Sequence, residues 1–177
     1  MSSILKVDNI QDSGGNSYLS SDGSGTVTVG NDALKNTPSF FAYLGSNQSI
    51  SNGTTTIAQI DTEVYDSGGV FNTSTYKWTP ATTGVKYYIF GQASLSNLTV
   101  DKALWVYIYK NGSIFTASMA GNTQSGVNDT MVNLQVVDEP NATDYYELRV
   151  YHNDGSTETL RADNKETQFG AIKIIGA

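Results

Sequence analysis

The chain has 177 residues, a formal net charge of −7 and no cysteine. These numbers exclude a disulfide framework, a thiolate metal site and a thiol nucleophile, and the negative charge disfavours attraction to nucleic acid. No apolar run approaches membrane-spanning length, and residues 1–14 lack the basic start and apolar core of a secretory signal. The abundance of Gly, Ser, Thr, Asn and Tyr is typical of an all-β surface protein.

Residues 1–37 differ from the rest of the chain because they contain few large apolar side chains. Leu5 and Val7 alternate with polar residues and predict a short strand. Glycine-containing turns follow at 14–15 and 22–25, residues 26–29 predict a second small strand, and 31–36 is the best helix candidate. This segment has too little apolar surface for an independent core, so we predict a domain boundary at Pro38.

The N-terminal segment is therefore expected to be an arm. Such a strand becomes ordered when it adds to the sheet of another chain or joins several chains together. The residues predicted to anchor it are Ile4, Leu5, Val7 and Ile10.

From Pro38 onward, strand signals recur at short intervals with turn residues between them. Asn111-Gly112 is the clearest hairpin signal, because both residues tolerate positive φ. This pattern predicts a β-sandwich or jelly roll. The predicted strands lie near 39–44, 56–60, 76–79, 85–91, 103–110, 113–119, 130–137, 144–152 and 168–175.

Several of these strands carry large apolar residues on both faces. In 103–109, Leu104, Val106 and Ile108 alternate with three aromatic residues, whereas a sandwich strand ordinarily has one polar face. The aromatic faces need a cover, which is either another copy of the chain or the chain's own long loops. Self-association is the favoured interpretation, and the predicted interface residues are Tyr88, Phe90, Trp105, Tyr107, Tyr109, Tyr145 and Tyr151.

Five segments of 38–177, in order, resemble the globular heads of complement C1q-like proteins, relatives of the tumour-necrosis-factor family. They are Ser-Phe-Phe-Ala at 39–42, the aromatic and Thr-Pro segment at 69–80, Thr-Gly-Val with a Tyr pair at 83–88, the strand with its Lys-Asn-Gly turn at 104–112, and Thr-Gln-Phe-Gly-Ala at 167–171. This chain differs from the family pattern in three places. Lys86 is inserted before the Tyr pair, Thr83 stands where the family has Pro, and the loop 137–144 is longer than the family's tight turn. The resemblance implies a jelly roll of about ten strands that forms a homotrimer around an aromatic-rich axis.

Ser-Ile-Leu-Lys-Val-Asp-Asn-Ile-Gln followed by Gly-Gly resembles the start of virion structural proteins of marine tailed phages. This second resemblance implies a short N-terminal anchor joined to a trimeric head. It also implies assembly in the host cytoplasm and a final location on the virion surface, which fits the expected lack of an export signal.

Catalytic signals are few. His152 is the single histidine, and no nucleophile elbow, phosphate-binding loop or zinc helix accompanies it. We interpret it as a solvated turn residue. The acidic groups Asp138, Glu139, Asp144 and Asp61, Glu63, Asp66 are interpreted as solvated loops rather than glycosidase pairs. Calcium is a candidate ligand, since members of the resembled family sometimes bind it, but no ligand set has a fixed spacing.

The sequence therefore predicts a non-enzymatic virion-surface protein, a trimeric capsid decoration, cement or head-fibre protein held through its N-terminal arm by a capsid or tail protein. The alternative is a tail-fibre or spike adhesin whose head binds host carbohydrate. A secreted C1q-like signalling or lectin-like module and a carbohydrate-active enzyme remain lower-ranked interpretations. Neither nucleic acid nor an inserted membrane segment is expected as a partner.

Overall fold

The structure of the protein is a computed structural model that describes residues 7–30, 35–126 and 129–175. A short 3₁₀-helix lies at Asp163–Lys165, and the other regular elements of the described residues are strands. In chain order these are β1 (Asn9–Gln11), β2 (Ser17–Ser21), β3 (Val27–Val29), β4 (Ser39–Tyr43), β5 (Gln48–Ile50), β6 (Thr56–Ile57), β7 (Thr62–Ser67), β8 (Phe71–Asn72), β9 (Lys77–Trp78), β10 (Tyr87–Ser96), β11 (Ala103–Lys110), β12 (Ser113–Gly121), β13 (Asp129–Asp138), β14 (Tyr146–His152), β15 (Glu158–Leu160) and β16 (Gln168–Lys173).

Strands β4 to β16 form the two sheets of an all-β sandwich. The first sheet has the order β5-β15-β10-β16-β4-β7, and β13 pairs along the other edge of β10. The second sheet has the order β12-β11-β14-β9-β8, with β6 also paired to β14. This is the predicted jelly-roll architecture, and the strands expected at 103–110 and 113–119 are confirmed as β11 and β12.

The hairpin between β11 and β12 turns as its sequence predicts. Asn111 and Gly112 both have positive φ, 52° and 79°, which a two-residue turn between twisted strands requires. Pairing with strands distant in the chain produces β5, β7 and β15, which the sequence pattern did not predict, and a short hairpin with β9 produces β8. Strand β10 also continues to Ser96, past the predicted end at 91, because β13 pairs with its whole length.

The core lies between the two sheets and is drawn from residues Phe40 to Ala171. An aromatic cluster fills its centre. Trp78 is fully buried, with ring centroids 5.0 Å from both Tyr87 and Tyr146 and 5.6 Å from Phe40. Phe40 also stacks on Phe71 at 4.6 Å. Large rings suit this position because each buries a large apolar area. None of the described N-terminal residues (7–30 and 35–37) belongs to this cluster, and the division at Pro38 stays a prediction.

The N-terminal segment is a three-stranded antiparallel sheet of β1, β2 and β3 rather than a single strand followed by loosely structured chain. The strand expected around Leu5 and Val7 begins at Asn9 among the described residues. Ile4 and Leu5 lie outside the described residues, as does most of the helix candidate at 31–36. Residues 17–21, which contain few apolar side chains, form the central strand because β1 and β3 pair with its two edges.

Candidate functional site: two outward aromatic faces

The seven aromatic residues predicted to form one interface lie on two opposite sides of the sandwich. Tyr88 and Phe90 are on β10 and point outward from the first sheet. The remaining five lie on or beside the second sheet and point away from the core: Trp105, Tyr107, Tyr109, Tyr145 and Tyr151. The sequence pattern identified outward aromatic side chains, but it could not show that they belong to different sheets.

The first-sheet aromatic face is centred on Phe90. The ring of Phe90 lies over the backbone of Gly170, its neighbour on β16. Phe41 on β4 stands on the other side of Gly170, with its ring centroid 6.0 Å from that of Phe90. Tyr88 stacks on Phe90 at 5.9 Å, and Ile172 is exposed opposite Tyr88. The cross-strand register therefore assembles one continuous apolar surface from three strands.

Sequence reasoning did not assign Phe41, Gly170 or Ile172 to this face. The signal was present in the alternation of each strand, but it required the pairing of β10 with β16 and of β16 with β4. The outward polar residues beside the rings are the amides Gln92 and Gln135, and a groove of about 280 Å³ runs between them.

The second-sheet aromatic face is formed by rings that cover one another. Trp105 and Tyr151 meet edge to face at 5.2 Å, and Tyr107 and Tyr109 meet at 6.0 Å with nearly perpendicular planes. The guanidinium of Arg149 lies 4.4 Å from the ring centroid of Tyr109. Burial, followed by the neighbouring Tyr109 and Tyr151, raises the pKa of the Tyr107 hydroxyl. These side chains are half-buried without a second chain.

A buried carboxylate lies within this second face. Glu147 is fully buried on β14, and its Oε1 accepts a 3.0 Å hydrogen bond from Nε of Arg149 as well as one from its Nη2. Arg149 thus balances the charge of Glu147 and also stacks on Tyr109. Unlike the first-sheet face, the second face carries a charged pair among its rings.

A cluster of polar side chains joins the loop 138–144 to the β11–β12 hairpin. Nζ of Lys110 lies 2.7 Å from Oδ2 of Asp138 and 3.1 Å from Oδ2 of Asp144. The amide of Asn111 donates to Oδ1 of Asp144 at 2.7 Å, and the hydroxyl of Tyr146 donates to Asp138. The prediction that these two acidic residues are solvated is wrong, because they fold back onto Lys110.

The contacts of this cluster set its pKa values. Burial raises the pKa of Asp138, but hydrogen bonds from Lys110 and Tyr146 outweigh it and hold the pKa below the usual 3.8. The bond from Asn111, then the backbone N–H of Asn141, lowers the pKa of Asp144. Burial and the bond to Asp138 raise the pKa of the Tyr146 hydroxyl. At neutral pH the two carboxylates and Lys110 are consequently ionised and Tyr146 keeps its proton, and these contacts tie the loop 138–144 to the β11–β12 hairpin.

His152 is buried, so its interpretation as a solvated turn residue is wrong. Its Nε2 lies 3.0 Å from the carbonyl oxygen of Ile50, and its Nδ1 is 3.3 Å from the backbone N of Asp154. Because Nδ1 accepts from that N–H, Nε2 carries the proton and donates to Ile50. The imidazole therefore connects β14 with β5, and both of its nitrogens are occupied by backbone groups.

In the second acidic group, Asp61 and Asp66 accept hydrogen bonds from backbone N–H groups of nearby turns. Asp66 accepts the backbone N–H groups of Val70 and Phe71, and Asp61 accepts that of Gly45 at 2.7 Å. Within residues 7–30, 35–126 and 129–175, no group of three or more histidine or acidic side chains is placed to hold a metal ion. Calcium binding stays an untested expectation. Among those same residues, no helix is long and apolar enough to cross a membrane.

Of the described anchor residues, Ile10 lies on β1 and Val7 precedes that strand. Val7 is 49% exposed and Ile10 is 47% exposed. Their predicted role as an attachment surface stays a prediction.

The fold and the two faces define a jelly-roll sandwich, and solved structures of the same shape are known. No family model matches the chain, and no curated protein matches it. Murine APRIL has a TM-score of 0.58 and 13% identity, over 77% of this chain and 98% of that one. The globular domain of zebrafish complement 1qA protein has a TM-score of 0.57 and 15% identity, over 78% of this chain and 96% of that one. Eiger TNF from S. frugiperda has a TM-score of 0.56 and 11% identity, over 81% of this chain and 96% of that one.

At these identities the likeness is one of fold. It confirms the jelly roll of TNF-like and C1q-like globular domains that the sequence motifs of 38–177 predicted.

Proposed function

We propose that this chain is a non-enzymatic protein that forms a homotrimer, in which three copies meet at the first-sheet aromatic face. The observation that carries the proposal is the continuous apolar surface of Phe41, Phe90 and Tyr88 across three strands. Tyr88 is 41% exposed although it stands at the centre of a sheet. Apolar faces of this kind are the core of obligate interfaces.

The second-sheet aromatic face is a poorer interface core. Its rings already bury one another, and a second chain would have to cover the partly exposed guanidinium of Arg149, which is paired with the buried Glu147. Burying charges at an interface core is costly unless they are fully paired. The outward sides of two packed sheets also point in opposite directions, so one axis cannot meet both. We therefore keep Tyr88 and Phe90 in the interface and place the other five aromatic residues outside it.

The first test is the solution mass of the full chain and of residues 38–177, by light scattering. We expect trimers of both, because the core and the proposed interface lie entirely after Pro38. Tyr88→Glu should then give monomers, and Tyr107→Glu, the matched tyrosine on the opposite face, should leave the trimer intact. Cooperative thermal unfolding of each variant would show that it is folded. A monomeric wild type, or a trimer disrupted by Tyr107→Glu alone, would overturn the assignment.

A second, more specific proposal concerns the larger assembly to which this trimer belongs. We propose that it is displayed on a virion as a capsid decoration, cement or head-fibre protein, held through residues 1–37. The N-terminal resemblance to phage virion proteins supports this function, as does the exposed Val7. The test is cosedimentation of the purified chain with capsids of the encoding phage that lack it. The full chain should bind and residues 38–177 should not. Equal binding of both would place the attachment in the head.

The alternative function is an adhesin for host carbohydrate. The observation in its favour is that the proposed trimer leaves Trp105 and Tyr151 facing outward, and aromatic rings at a surface can stack on sugars. A glycan array with trimeric wild-type protein tests it, and Trp105→Ala is the informative variant. Binding that Trp105→Ala abolishes, with the trimer retained, would favour the adhesin. Lack of any bound glycan would leave the decoration role in place.

A further inference from the structure

The N-terminal sheet has one face lined by aliphatic side chains, whereas its other face is mainly polar and includes Tyr18. Pairing places Ile10 opposite Leu19, and Leu19 opposite Val29, so these three side chains cross the sheet side by side. Val27 shares their face and is 61% exposed, while Ile10 is 47% exposed. The next register across the same strands consists of Asn9, Ser20 and Thr28, which lie on the opposite face together with Tyr18, whose side chain is 40% exposed. An antiparallel sheet with this alternation ordinarily packs its apolar face against a partner.

The three strands together comprise 11 residues (3, 5 and 3), and none of these is charged. A sheet of this size with its apolar face in water is at the limit of independent stability. Charged residues on edge strands ordinarily prevent association of sheets, and the strands of this sheet carry none. The apolar face is therefore suited to a cover that is itself uncharged and apolar.

We propose that this cover is the same face of the other copies in the trimer, so that three N-terminal sheets pack together through Ile10, Leu19, Val27 and Val29. The inference rests on the proposed homotrimer. Phe40 lies eleven positions after Val29, and at about 3.5 Å per residue this connection spans at most about 40 Å. A trimeric head thus holds three sheets within reach of one another, at an effective concentration on the order of millimolar.

The symmetry of a homotrimer also favours the other copies of the chain as the cover of this apolar face. Three equal apolar faces around one axis cover each other completely, and the packing leaves the polar faces outside. The N-terminal sheets would then continue the trimer beyond the head as a short stalk. Their outer surfaces and edges would remain free for the structure that carries the protein.

Cysteine cross-linking of the full chain tests this packing, because the natural sequence has no cysteine. Leu19→Cys places a thiol on the apolar face, and Ser20→Cys is the matched control, since the adjacent residue is also half-buried but lies on the opposite face. Identical residues near a three-fold axis can approach within disulfide distance. Each trimer can form one such disulfide, so oxidation of Leu19→Cys should convert two of every three chains to covalent dimer. Ser20→Cys should remain several-fold less cross-linked.

Val29→Cys and Thr28→Cys repeat the comparison on β3 in case Leu19→Cys disturbs the sheet. Light scattering of the same samples distinguishes a failure of the N-terminal packing from a failure of the trimer itself. Trimeric protein in which neither pair shows the face-dependent difference overturns the packing of the N-terminal sheets and leaves the proposed trimer standing. Monomeric protein overturns the trimer itself. Cross-linking that rises with protein concentration would come from contacts between trimers and would also count against the packing.

Discussion

Gly170 makes the first-sheet aromatic face possible, and its replacement by alanine tests that geometry. A methyl group on Gly170 would lie 2.9 Å and 3.0 Å from Cε1 and Cε2 of the Phe90 ring and closer still to Cζ. The ring must therefore move, and through Phe90 the change reaches Phe41 and Tyr88. Forcing an extra methyl into a packed site costs about 1–3 kcal/mol.

A second effect of Gly170→Ala has the opposite sign. Alanine in a strand interior is favoured over glycine by about 0.5–1 kcal/mol, because glycine loses more backbone entropy on folding. The two effects leave a net loss of about 0–2.5 kcal/mol of unfolding free energy in the wild-type background, centred on about 1.3 kcal/mol. With Phe90→Ala the ring is gone, so only the favourable effect remains. Gly170→Ala should then stabilise the protein by about 0.5–1 kcal/mol.

The assay is urea unfolding of wild type, both single variants and the double variant at one fixed chain concentration. Fluorescence of the buried Trp78 reports the transition. Gly121→Ala is the control, because its methyl would meet the carbonyl oxygen of Lys102 at an ordinary 3.5 Å. The reasoning is refuted if Gly170→Ala costs no more than Gly121→Ala, or if its effect has the same sign with and without the Phe90 ring.

Three further predictions concern the polar groups. Lys110→Met should lower the unfolding free energy at pH 7 by about 1–2 kcal/mol, since it removes charge-assisted bonds to two partly buried carboxylates. The folded pKa values of Asp138 and Asp144 are lowered, so their stabilisation is present above 3.8 and is lost as the pH falls through the folded values. The difference between wild type and Lys110→Met in urea unfolding should therefore shrink below pH 3.8. His152→Phe should cost about 1–3 kcal/mol in the same assay, because the carbonyl on β5 loses its donor. Finally, NMR should give Asp22 a pKa of about 2, because hydrogen bonds from Ser24 hold its carboxylate in the β2–β3 turn.

Each of these results has a contrary outcome. Lys165→Met, an exposed lysine, should change stability by less than about 0.5 kcal/mol, and an equal loss would show that charge alone matters. A constant difference between wild type and Lys110→Met down to pH 2 would contradict the ion pairs. Unchanged stability of His152→Phe would mean that the β14–β5 bond is unimportant. A pKa near 3.8 for Asp22 would show that the β2–β3 turn is not formed in solution.

The elements that could be predicted from the sequence are those whose determining residues are close together in the chain. The β11–β12 hairpin was predictable because its alternation, its turn and its pairing all lie within 19 consecutive residues. Strand β15 was not, because it has three residues and its partner β5 lies about 110 positions earlier in the chain. The same limit hid the Lys110 contacts, since Asp138 and Asp144 approach it only after the sheets have formed.

The sequence by itself determined that strand residues have an aliphatic side and an aromatic side, as Leu104 and Trp105 illustrate, because successive side chains of a strand point to opposite faces. It also determined the jelly-roll class, through the order and chemistry of its strands and turns. Only the tertiary structure decided which outward rings share a surface. Phe41, Phe90 and Gly170 are neighbours through pairing between residues up to 129 positions apart, whereas Tyr88 and Trp105 are close in sequence and lie on opposite sides of the sandwich. Sheet membership is set by long-range hydrogen bonding, and the alternation within a strand carries no information about it.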